Sequence, residues 1–344
     1  MHPPTPAQPN PREPALPYPS GWFALGFSRE LPPATVLTRR FMGEDVVLYR
    51  TRAGLLRAVH PYCPHLGAHL GAGGTVAAEN LVCPFHGFAF SPDGTCVHAP
   101  AGRPPRAPVS HHPVREVGGI VFLWHGQTAP TWELPAVSED GFSPLRHRGL
   151  LLPTHPQEIA ENSVDYGHFG PVHRLPRPQE TAPPAADGPL YRVNVRITFK
   201  KLPLLGEFGV PQTILLFGLG GILFEIPYPR LGLRVRSWGL ITPVGPWQTR
   251  LEIAIATSVE GRGPLPGPLR KAAAELVSQA VLAVEMKSTG PDLEIWSHKR
   301  YQHHPRIASG DGPIGKYRHW AQQFYPPETV APHPGQSGVS DAAP

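Results

Sequence analysis

Short apolar runs separated by turn residues occupy the first third of the chain. Each run is a few residues long and is bounded by Gly, Pro or Asp, as short strands are. The runs lie at 41–49, 55–59, 81–82, 88–90 and 120–124. They predict a small antiparallel β domain.

The apolar segments are longer in the second half of the chain. Polar and apolar positions alternate over 192–200 and 251–257, with apolar stretches at 215–226 and 233–241 between them. These segments predict a second antiparallel sheet. The intervening segment 171–190 is rich in proline and polar residues, which predicts a loop.

Two helices complete the second domain. One is expected over 157–169 and the other over 268–287. In the longer helix, apolar residues recur at steps of three and four: Leu269, Ala272, Leu276, Ala280 and Val284. The fold class is therefore α+β, with an N-terminal antiparallel β domain over 20–135 and an α+β domain with a central antiparallel sheet over 136–325.

The composition supports this division. Proline makes up 47 of 344 residues, which excludes an all-helical fold because each proline removes an amide donor and blocks helix interiors. Residues 1–19 are predicted to be a disordered, proline-rich leader, and residues 326–344 a disordered tail.

Charge and hydropathy narrow the location and the partners. No apolar run approaches the roughly 20 residues that cross a membrane, and no signal-peptide pattern is visible. The net charge is +5, but the basic residues are scattered, so nucleic-acid binding is not expected. We expect a soluble, cytoplasmic protein.

Two cysteine–histidine pairs are the strongest local signal. Cys63 and His65 form a C-x-H motif, and Cys83 and His86 form a C-x-x-H motif. Two thiolates and two imidazoles at this mixed spacing fit a Rieske [2Fe–2S] cluster, in which two cysteines hold one iron and two histidines the other. A zinc site or a pair of buried free cysteines are the alternatives.

A second group of metal-ligating residues begins at Asn162. Asp165 and His168 are expected one turn apart on one helix face, and His173 would follow from the turn after Pro171, where the helix is expected to end. Two histidines and one carboxylate form the facial triad of non-haem iron(II) oxygenases. The sequence around these residues leaves the carboxylate open among Asp292, Glu285 and Glu294.

Together these motifs resemble the Rieske non-haem iron oxygenases, in their terminal oxygenase α subunits. The N-x-x-D-x-x-H-x4-H pattern of residues 162–173 matches the iron motif of that family. The stretches 62–70, 83–87, 292–299 and 311–314 are most similar to the sterol-acting branch, which holds cholesterol 7-desaturases and 3-ketosteroid 9α-hydroxylases. Phe88 stands where this family is expected to have tryptophan, a change predicted to affect packing only and to touch no ligand.

The resemblance implies two iron cofactors. Cys63, His65, Cys83 and His86 would hold the [2Fe–2S] cluster. His168, His173 and Asp292 would hold a mononuclear Fe²⁺. Electrons would come from NAD(P)H indirectly, through a reductase with or without a ferredoxin, and O₂ would be the oxidant.

The resemblance also implies a homotrimer. Asp165 would bridge a cluster histidine of the neighbouring subunit, His86, to His168 across the interface. Asn162 would support the iron site.

The substrate implied by the resemblance is a sterol or another apolar small molecule. Cholesterol 7-desaturation is the leading hypothesis; a steroid hydroxylase, an aromatic or demethylating Rieske monooxygenase, and a non-enzymatic Rieske electron carrier are the alternatives. The strands at 214–224, 231–235 and 238–241 are candidates to line the pocket, with room made by Gly218, Gly220 and Gly221.

Overall fold

The computed structural model describes residues 16–202, 206–259 and 267–326. Of the predicted leader and tail, only residues 16–19 and 326 lie within these ranges. The predicted disorder of the remaining residues lies outside the described part of the chain.

Short antiparallel strands build the N-terminal half. They form three small sheets within the described residues: β1 (Gly21–Phe27) with β10 (Val114–Val117) and β11 (Ile120–His125); β2 (Val36–Phe41), β3 (Glu44–Arg50), β4 (Leu56–Val59) and β9 (His111–His112); and β5 (Thr75–Ala77), β6 (Asn80–Val82), β7 (Ala89–Phe90) and β8 (Cys96–His98). The predicted antiparallel β domain is confirmed.

A large antiparallel sheet forms the second half. Its spatial order is β12-β18-β17-β16-β15-β14-β13. The strands are β12 (Arg146–Leu152), β13 (Gln179–Asp187), β14 (Leu190–Leu202), β15 (Gly206–Phe217), β16 (Gly221–Tyr228), β17 (Leu233–Gly245) and β18 (Gln248–Val259). Nearly every strand pairs with its sequence neighbour, and β12 closes one edge by pairing with β18. The predicted α+β fold class is confirmed.

Four helices accompany this sheet in the described residues: α1 (Pro156–Glu161), α2 (Phe169–His173), α3 (Gly267–His298) and α4 (Ile314–Ala321). The long helix α3 packs on β18 and β12. Apolar side chains of the sheet and helices form one core cluster that includes Val164, Trp296 and Tyr317.

The predicted loop over 171–190 is wrong at its centre, where β13 pairs with β14. This strand is almost wholly exposed and lies at the sheet edge, a position that tolerates proline because one side makes no ladder hydrogen bonds. Its register shifts between Ala182 and Ala185, which flank Pro183 and Pro184.

The single helix predicted over 157–169 is also wrong. α1 ends at Glu161 and α2 begins at Phe169, so Asp165 and His168 lie in the connection between two short helices and not on one helix face. Pro171 does not end a helix. It lies in the first turn of α2, where its missing amide hydrogen is not needed.

Helix α3 is longer than predicted, and its apolar stripe is not its buried face. It continues through Pro291 to His298. The apolar residues that predicted the helix are largely exposed, since Leu269, Leu276 and Val284 are 58%, 70% and 67% exposed. The buried residues of α3 are Ala274, Ser278, Asp292 and Trp296.

The two halves share a core. Trp22, Phe122 and Trp124 of the first half pack in one cluster with Phe217 and Trp238 of the large sheet. Backbone hydrogen bonds reinforce the contact, as the amides of Met42 and Gly43 donate to the carbonyls of Pro243 and Val244 at 3.0 and 3.2 Å.

Over the described ranges, none of the helices combines the length and the apolar character that a membrane span requires. The cytoplasmic location stays a prediction, and so do the domain boundaries at 20, 135 and 325.

Candidate functional site

Two matching loops present the cysteine–histidine pairs. In the loop before β5, the amide of Cys63 donates to the carbonyl of Ala68 at 2.8 Å, and the amide of Gly67 donates back to the carbonyl of Cys63 at 2.9 Å. In the loop between β6 and β7, Cys83 and Phe88 form the same closing bond at 2.8 Å. Gly67 has a φ of 75°, a left-handed conformation that suits glycine.

The loops bring sulfur and nitrogen donors to one tip of the domain. Cys63 and Cys83 are only 3% and 2% exposed, whereas His65 and His86 are exposed, with ring centroids 4.8 Å apart. Burial raises the pKa of the Cys63 thiol, a backbone hydrogen bond from His65 lowers it, and the adjacent Cys83 raises it again. Buried thiols below two surface imidazoles are the donor set that a [2Fe–2S] cluster of Rieske type requires.

The Phe88 side chain contacts one of the expected cluster ligands. Its ring stacks on His65 with centroids 4.4 Å apart and an interplanar angle of 14°. The prediction that this position touches no ligand is therefore wrong. This contact arises because Phe88, which closes the second loop, lies directly beneath His65 of the first loop.

The second group meets at one point in the larger half. One potential ligand atom from each of His168, His173 and Asp292 lies within 4.8 Å of the others. Nε2 of His173 is 3.4 Å from Oδ2 of Asp292, and Nε2 of His168 is 3.9 Å from Oδ1. Donors that bind one ion at about 2.1 Å lie roughly 3 Å apart, so a metal ion would draw the carboxylate and the two imidazoles together by up to about 2 Å.

Local structure explains how distant residues converge. His168 immediately precedes α2 and His173 ends it, so one short helix presents both imidazoles, with ring centroids 5.0 Å apart. Asp292 reaches the same point from within α3, not from a segment after the helix as expected. It is 5% exposed.

The other two carboxylate candidates lie elsewhere. Glu294 points away from the site, with a side chain that is 81% exposed. Glu285 is on the cavity side of α3 but is not among the three clustered ligands. The structure therefore favours Asp292 as the third ligand.

Electrostatics favour a cation at this point. Burial raises the pKa of Asp292, although His173, His168 and Asn162 oppose that rise. Burial also lowers the pKa of His173. A buried carboxyl group whose charge is poorly compensated gains from a bound cation, which takes the place of its proton, and a neutral imidazole is the form of histidine that ligates a metal ion.

Asn162 and Asp165 surround His168 on two sides. The Asn162 amide nitrogen is 3.4 Å from Nε2 of His168 and 3.5 Å from Oδ1 of Asp292, so Asn162 borders the ligand atoms. Oδ2 of Asp165 lies 3.6 Å from Nδ1 of His168. Burial raises the pKa of Asp165, but hydrogen bonds from His168 and Gly167 and the charge of His168 lower it overall.

A loop near the C-terminus supports the ligand segment. The amide of Tyr166 donates to the carbonyl of Asp311 at 2.9 Å. Gly312 has a φ of 91°, and a Cβ there would lie 2.3 Å from the carbonyl oxygen of Val164. Only glycine permits this approach, which explains the Asp-Gly pair at 311–312.

Two ion pairs with buried carboxylates hold α1 in place. Glu158 pairs with Lys299, and both oxygens of Glu161 accept hydrogen bonds from Arg318. Lys299 directly follows α3, so the first pair connects the end of the helix that carries Asp292 to the helix that precedes Asn162. Sequence reasoning missed both pairs because nothing in the local pattern joins residues so far apart.

A largely apolar cavity of about 480 Å³ opens beside the three ligands. Its size is in the range of small-molecule sites. Ile214, Ile222, Phe224, Trp238 and Gly239 line it, as predicted for two of the three strands.

Other expectations about the cavity are wrong. Residues 231–235, Gly218, Gly220 and Gly221 do not line it. Gly220 instead packs under Trp22, where a Cβ would lie 2.1 Å from the Trp22 carbonyl oxygen. The polar residues Gln212, Tyr228 and Glu285 line the cavity and were missed as lining groups.

Two families match nearly all of the described chain. Residues 21–117 match the Rieske [2Fe-2S] domain. Residues 123–325 match the 3-ketosteroid 9α-hydroxylase C-terminal domain.

Full-length relatives are similar to the chain across both parts. Cholesterol 7-desaturase of Bombyx mori is 30% identical, with 90% of this chain and 70% of the relative covered. The enzyme of that name from Drosophila melanogaster is 29% identical, with coverage of 90% and 75%. A probable 3-ketosteroid-9-alpha-monooxygenase oxygenase component of Rhodococcus rhodochrous is 27% identical, with coverage of 90% and 80%.

Solved structures share the fold. A crystal structure of dicamba monooxygenase bound to dicamba is 18% identical with a TM-score of 0.62, and the match covers 88% of this chain and 96% of that one. NdmA of Pseudomonas putida CBB5 is 16% identical with a TM-score of 0.68, and 88% of each chain is covered.

Proposed function

Because the chain belongs to the Rieske oxygenases that carry a 3-ketosteroid 9α-hydroxylase C-terminal domain, we propose that it oxidises a sterol, with cholesterol 7-desaturation as the reaction. O₂ is the oxidant, and electrons come from NAD(P)H by way of a reductase or ferredoxin. The observation that carries the proposal is the convergence of His168, His173 and Asp292 in the wall of a largely apolar cavity.

The residues present fit both iron groups. Cys63, Cys83, His65 and His86 would hold the [2Fe–2S] cluster, and His168, His173 and Asp292 would hold Fe²⁺. When bound by such a triad, iron(II) activates O₂, because only three of its coordination positions are filled by protein.

The chain's own side chains prepare this site. Asp292 supplies the negative charge, and its buried position between the imidazoles limits its motion. Oδ2 of Asp165 is placed 3.6 Å from Nδ1 of His168, so it would accept a hydrogen bond from Nδ1–H after a small approach when Nε2 faces the metal, and would thereby fix the orientation of that ring. The apolar cavity walls exclude water and hold a hydrocarbon surface beside the ligands.

A head-to-tail homotrimer is part of the proposal. Leu66, Phe85 and Tyr62 at the cluster tip are 66%, 63% and 59% exposed, and apolar side chains at such exposure suit a protein interface. Asp165 is partly exposed on the other half of the chain and would accept a hydrogen bond from His86 of a neighbouring subunit.

The test uses the protein with both iron groups, a ferredoxin, a reductase and NADH, under air. Cholesterol is supplied and the extracted sterol is analysed by mass spectrometry. Loss of two hydrogens is the expected result. Gain of one oxygen would replace desaturation by hydroxylation, the second candidate, which the C-terminal family match favours. A 3-ketosteroid is supplied in a parallel reaction. If both compounds remain unchanged while the cluster is reduced and reoxidised, a sterol substrate is contradicted.

Iron content separates the enzyme from an electron carrier. Three iron atoms per chain are expected, and two are expected for Asp292→Ala, which would retain the cluster alone. Glu294→Ala is the matched control, because it removes an exposed carboxylate from the same helix. Two irons in the unaltered protein would favour an electron carrier.

A further inference from the structure

A second carboxyl group lies in the cavity wall beyond the metal ligands. Glu285 precedes Asp292 by seven residues in α3, and both line the cavity. Seven residues are almost two helical turns, so the two side chains share a face and lie about 10 Å apart along the helix axis. Glu285 is therefore too far along the helix to ligate the same ion.

The positions one turn before and one turn after Glu285 carry an apolar and an already bonded group. Val281 lies one turn before Glu285 and lines the same cavity. Thr289 lies one turn after it, and its hydroxyl donates to the backbone carbonyl of Glu285 at 2.9 Å. In the part of the chain that the structure describes, no side chain forms a hydrogen bond or an ion pair with the Glu285 carboxyl group.

Tyr228, at the end of β16, is a polar group of the sheet that lines the same cavity. Burial raises the pKa of Tyr228, and the charge of Glu285 raises it further. A phenol and a carboxyl group thus both belong to the cavity wall beyond the metal ligands.

A carboxyl group without a side-chain partner in a largely apolar wall is available to bind a polar group of a ligand. Burial raises the pKa of Glu285, which favours the neutral acid, and a neutral acid both donates and accepts hydrogen bonds. A group of this kind matches a hydroxyl or carbonyl oxygen on a molecule whose remaining surface is apolar.

We propose that Glu285 is the polar anchor of the substrate cavity: its carboxyl group binds the single hydroxyl or oxo group of an otherwise apolar substrate. A rigid substrate held at that end presents a fixed carbon to the metal ligands about two helical turns away. This inference rests on the proposed function and names the part of a sterol that the cavity recognises.

The test compares two ligands that differ in one oxygen. Cholesterol carries a single hydroxyl group at one end of its ring system, and 5-cholestene has the same skeleton without it. Binding to the fully loaded protein is followed by the change in tryptophan fluorescence, because Trp238 and Trp296 line the cavity. This readout requires no turnover.

We expect the unaltered protein to bind cholesterol about tenfold more tightly than 5-cholestene, the effect of one good hydrogen bond. Glu285→Leu should bind both ligands with equal affinity. Glu285→Gln should keep most of the preference, since an amide also donates and accepts. Glu294→Leu makes the matched change at an exposed position of α3 and should leave the preference unchanged.

Two results would overturn the inference in distinguishable ways. A preference for cholesterol that persists in Glu285→Leu, or that is absent from the unaltered protein although both ligands bind, rejects the anchor and leaves the sterol substrate standing. Failure of both ligands to bind the unaltered protein rejects the anchor together with the proposed sterol substrate.

Discussion

At the scale of single residues, the structure separates groups that would bind metal from groups that orient them. Asp165 approaches His168 on the side opposite to the ligand atom, with Oδ2 3.6 Å from Nδ1. Its side chain also remains 32% exposed. Both features suit a residue that couples His168 to something outside the chain.

Replacement of Asp165 by asparagine tests this role. Asp165→Asn should retain all three irons per chain, because it removes no ligand atom, yet turnover should fall by about 10–100-fold. Iron analysis and steady-state oxidation of the substrate are the measurements. Asp140→Asn, on an exposed loop, should change neither. Full activity of Asp165→Asn would contradict the bridging role.

The sequence predicted ligand types better than their surroundings. Cys63, His65, Cys83 and His86 are separated by a few residues within two loops, so their chemistry is visible in the spacing. The carboxylate is different, because Asp292, Glu285 and Glu294 all lie on one helix and only its rotation distinguishes them. The stacking of Phe88 on His65 depends on two loops that meet in space, which no local pattern reveals.

At the scale of elements, α1 begins at an unusual cap. Nδ1 of His155 accepts a hydrogen bond from the amide of Gln157 at 3.2 Å, and Nε2 lies 3.3 Å from the carbonyl of Pro17. Burial lowers the pKa of His155 to about 4 despite the opposing effect of Pro17. The cap therefore requires the neutral imidazole with its proton on Nε2.

This cap makes stability depend on pH. The folded state binds fewer protons than the unfolded state between the pKa of about 4 and the usual value near 6.5. The contribution of the cap to the free energy of unfolding is complete above pH ~6.5 and is lost as the pH falls to ~4, by roughly 3 kcal/mol in total. Urea unfolding of His155→Asn, which still caps the helix, should show a flatter dependence over this window.

The exposed His298 provides the control for that experiment. His298→Asn should leave the slope of stability against pH unchanged. An equal slope in His155→Asn and in the unaltered protein would mean that the cap does not titrate in this range.

Polar contacts decide the orientation of α3. Ser278 is fully buried, and its hydroxyl lies 2.7 Å from that of Ser143 and 3.0 Å from that of Thr257. Alternation of apolar and polar residues identified the strands correctly, since one sheet face must be buried. On α3 the helical period of apolar residues includes Leu276, which is exposed, and leaves out the small residues Ala274 and Ser278, which are buried and allow close packing.

Two substitutions on neighbouring positions test this orientation. Ser278→Leu overfills a closed contact and removes its hydrogen bonds, so it should destabilise the protein by about 1–3 kcal/mol or more. Leu276→Ser should change stability by less than about 0.5 kcal/mol. Thermal unfolding gives both values, and the reverse order would show that the helix packs through its apolar stripe.

At the scale of the whole molecule, the two halves share one apolar core. The Nε1 hydrogen of Trp22 is donated to the carbonyl of Trp132 at 2.9 Å, and Trp22 and Phe217 are both fully buried in the shared cluster. Separation of the two halves would expose these large aromatic side chains to water.

Unfolding should therefore occur in a single transition. Loss of the cluster's visible absorbance and loss of far-ultraviolet circular dichroism should coincide during heating. Gly220→Val should lower both midpoints together, since its side chain would collide with the backbone of Trp22. Two separated transitions in the unaltered protein would show that the shared core contributes little.

Because one continuous helix carries both Glu285 and Asp292, the spacing of its residues limits how the selectivity for the oxidised carbon can change. Positions that line the cavity recur once per turn of α3, as one or two adjacent residues, in steps of about 5.4 Å. One residue inserted between the two acids would turn Glu285 away by about 100°, whereas transfer of the acid to position 281 or 289 would keep it facing inward. The carbon that is oxidised would then shift in discrete jumps along a rigid substrate, so regiochemistry in such a cavity can diversify through few, well-separated substitutions.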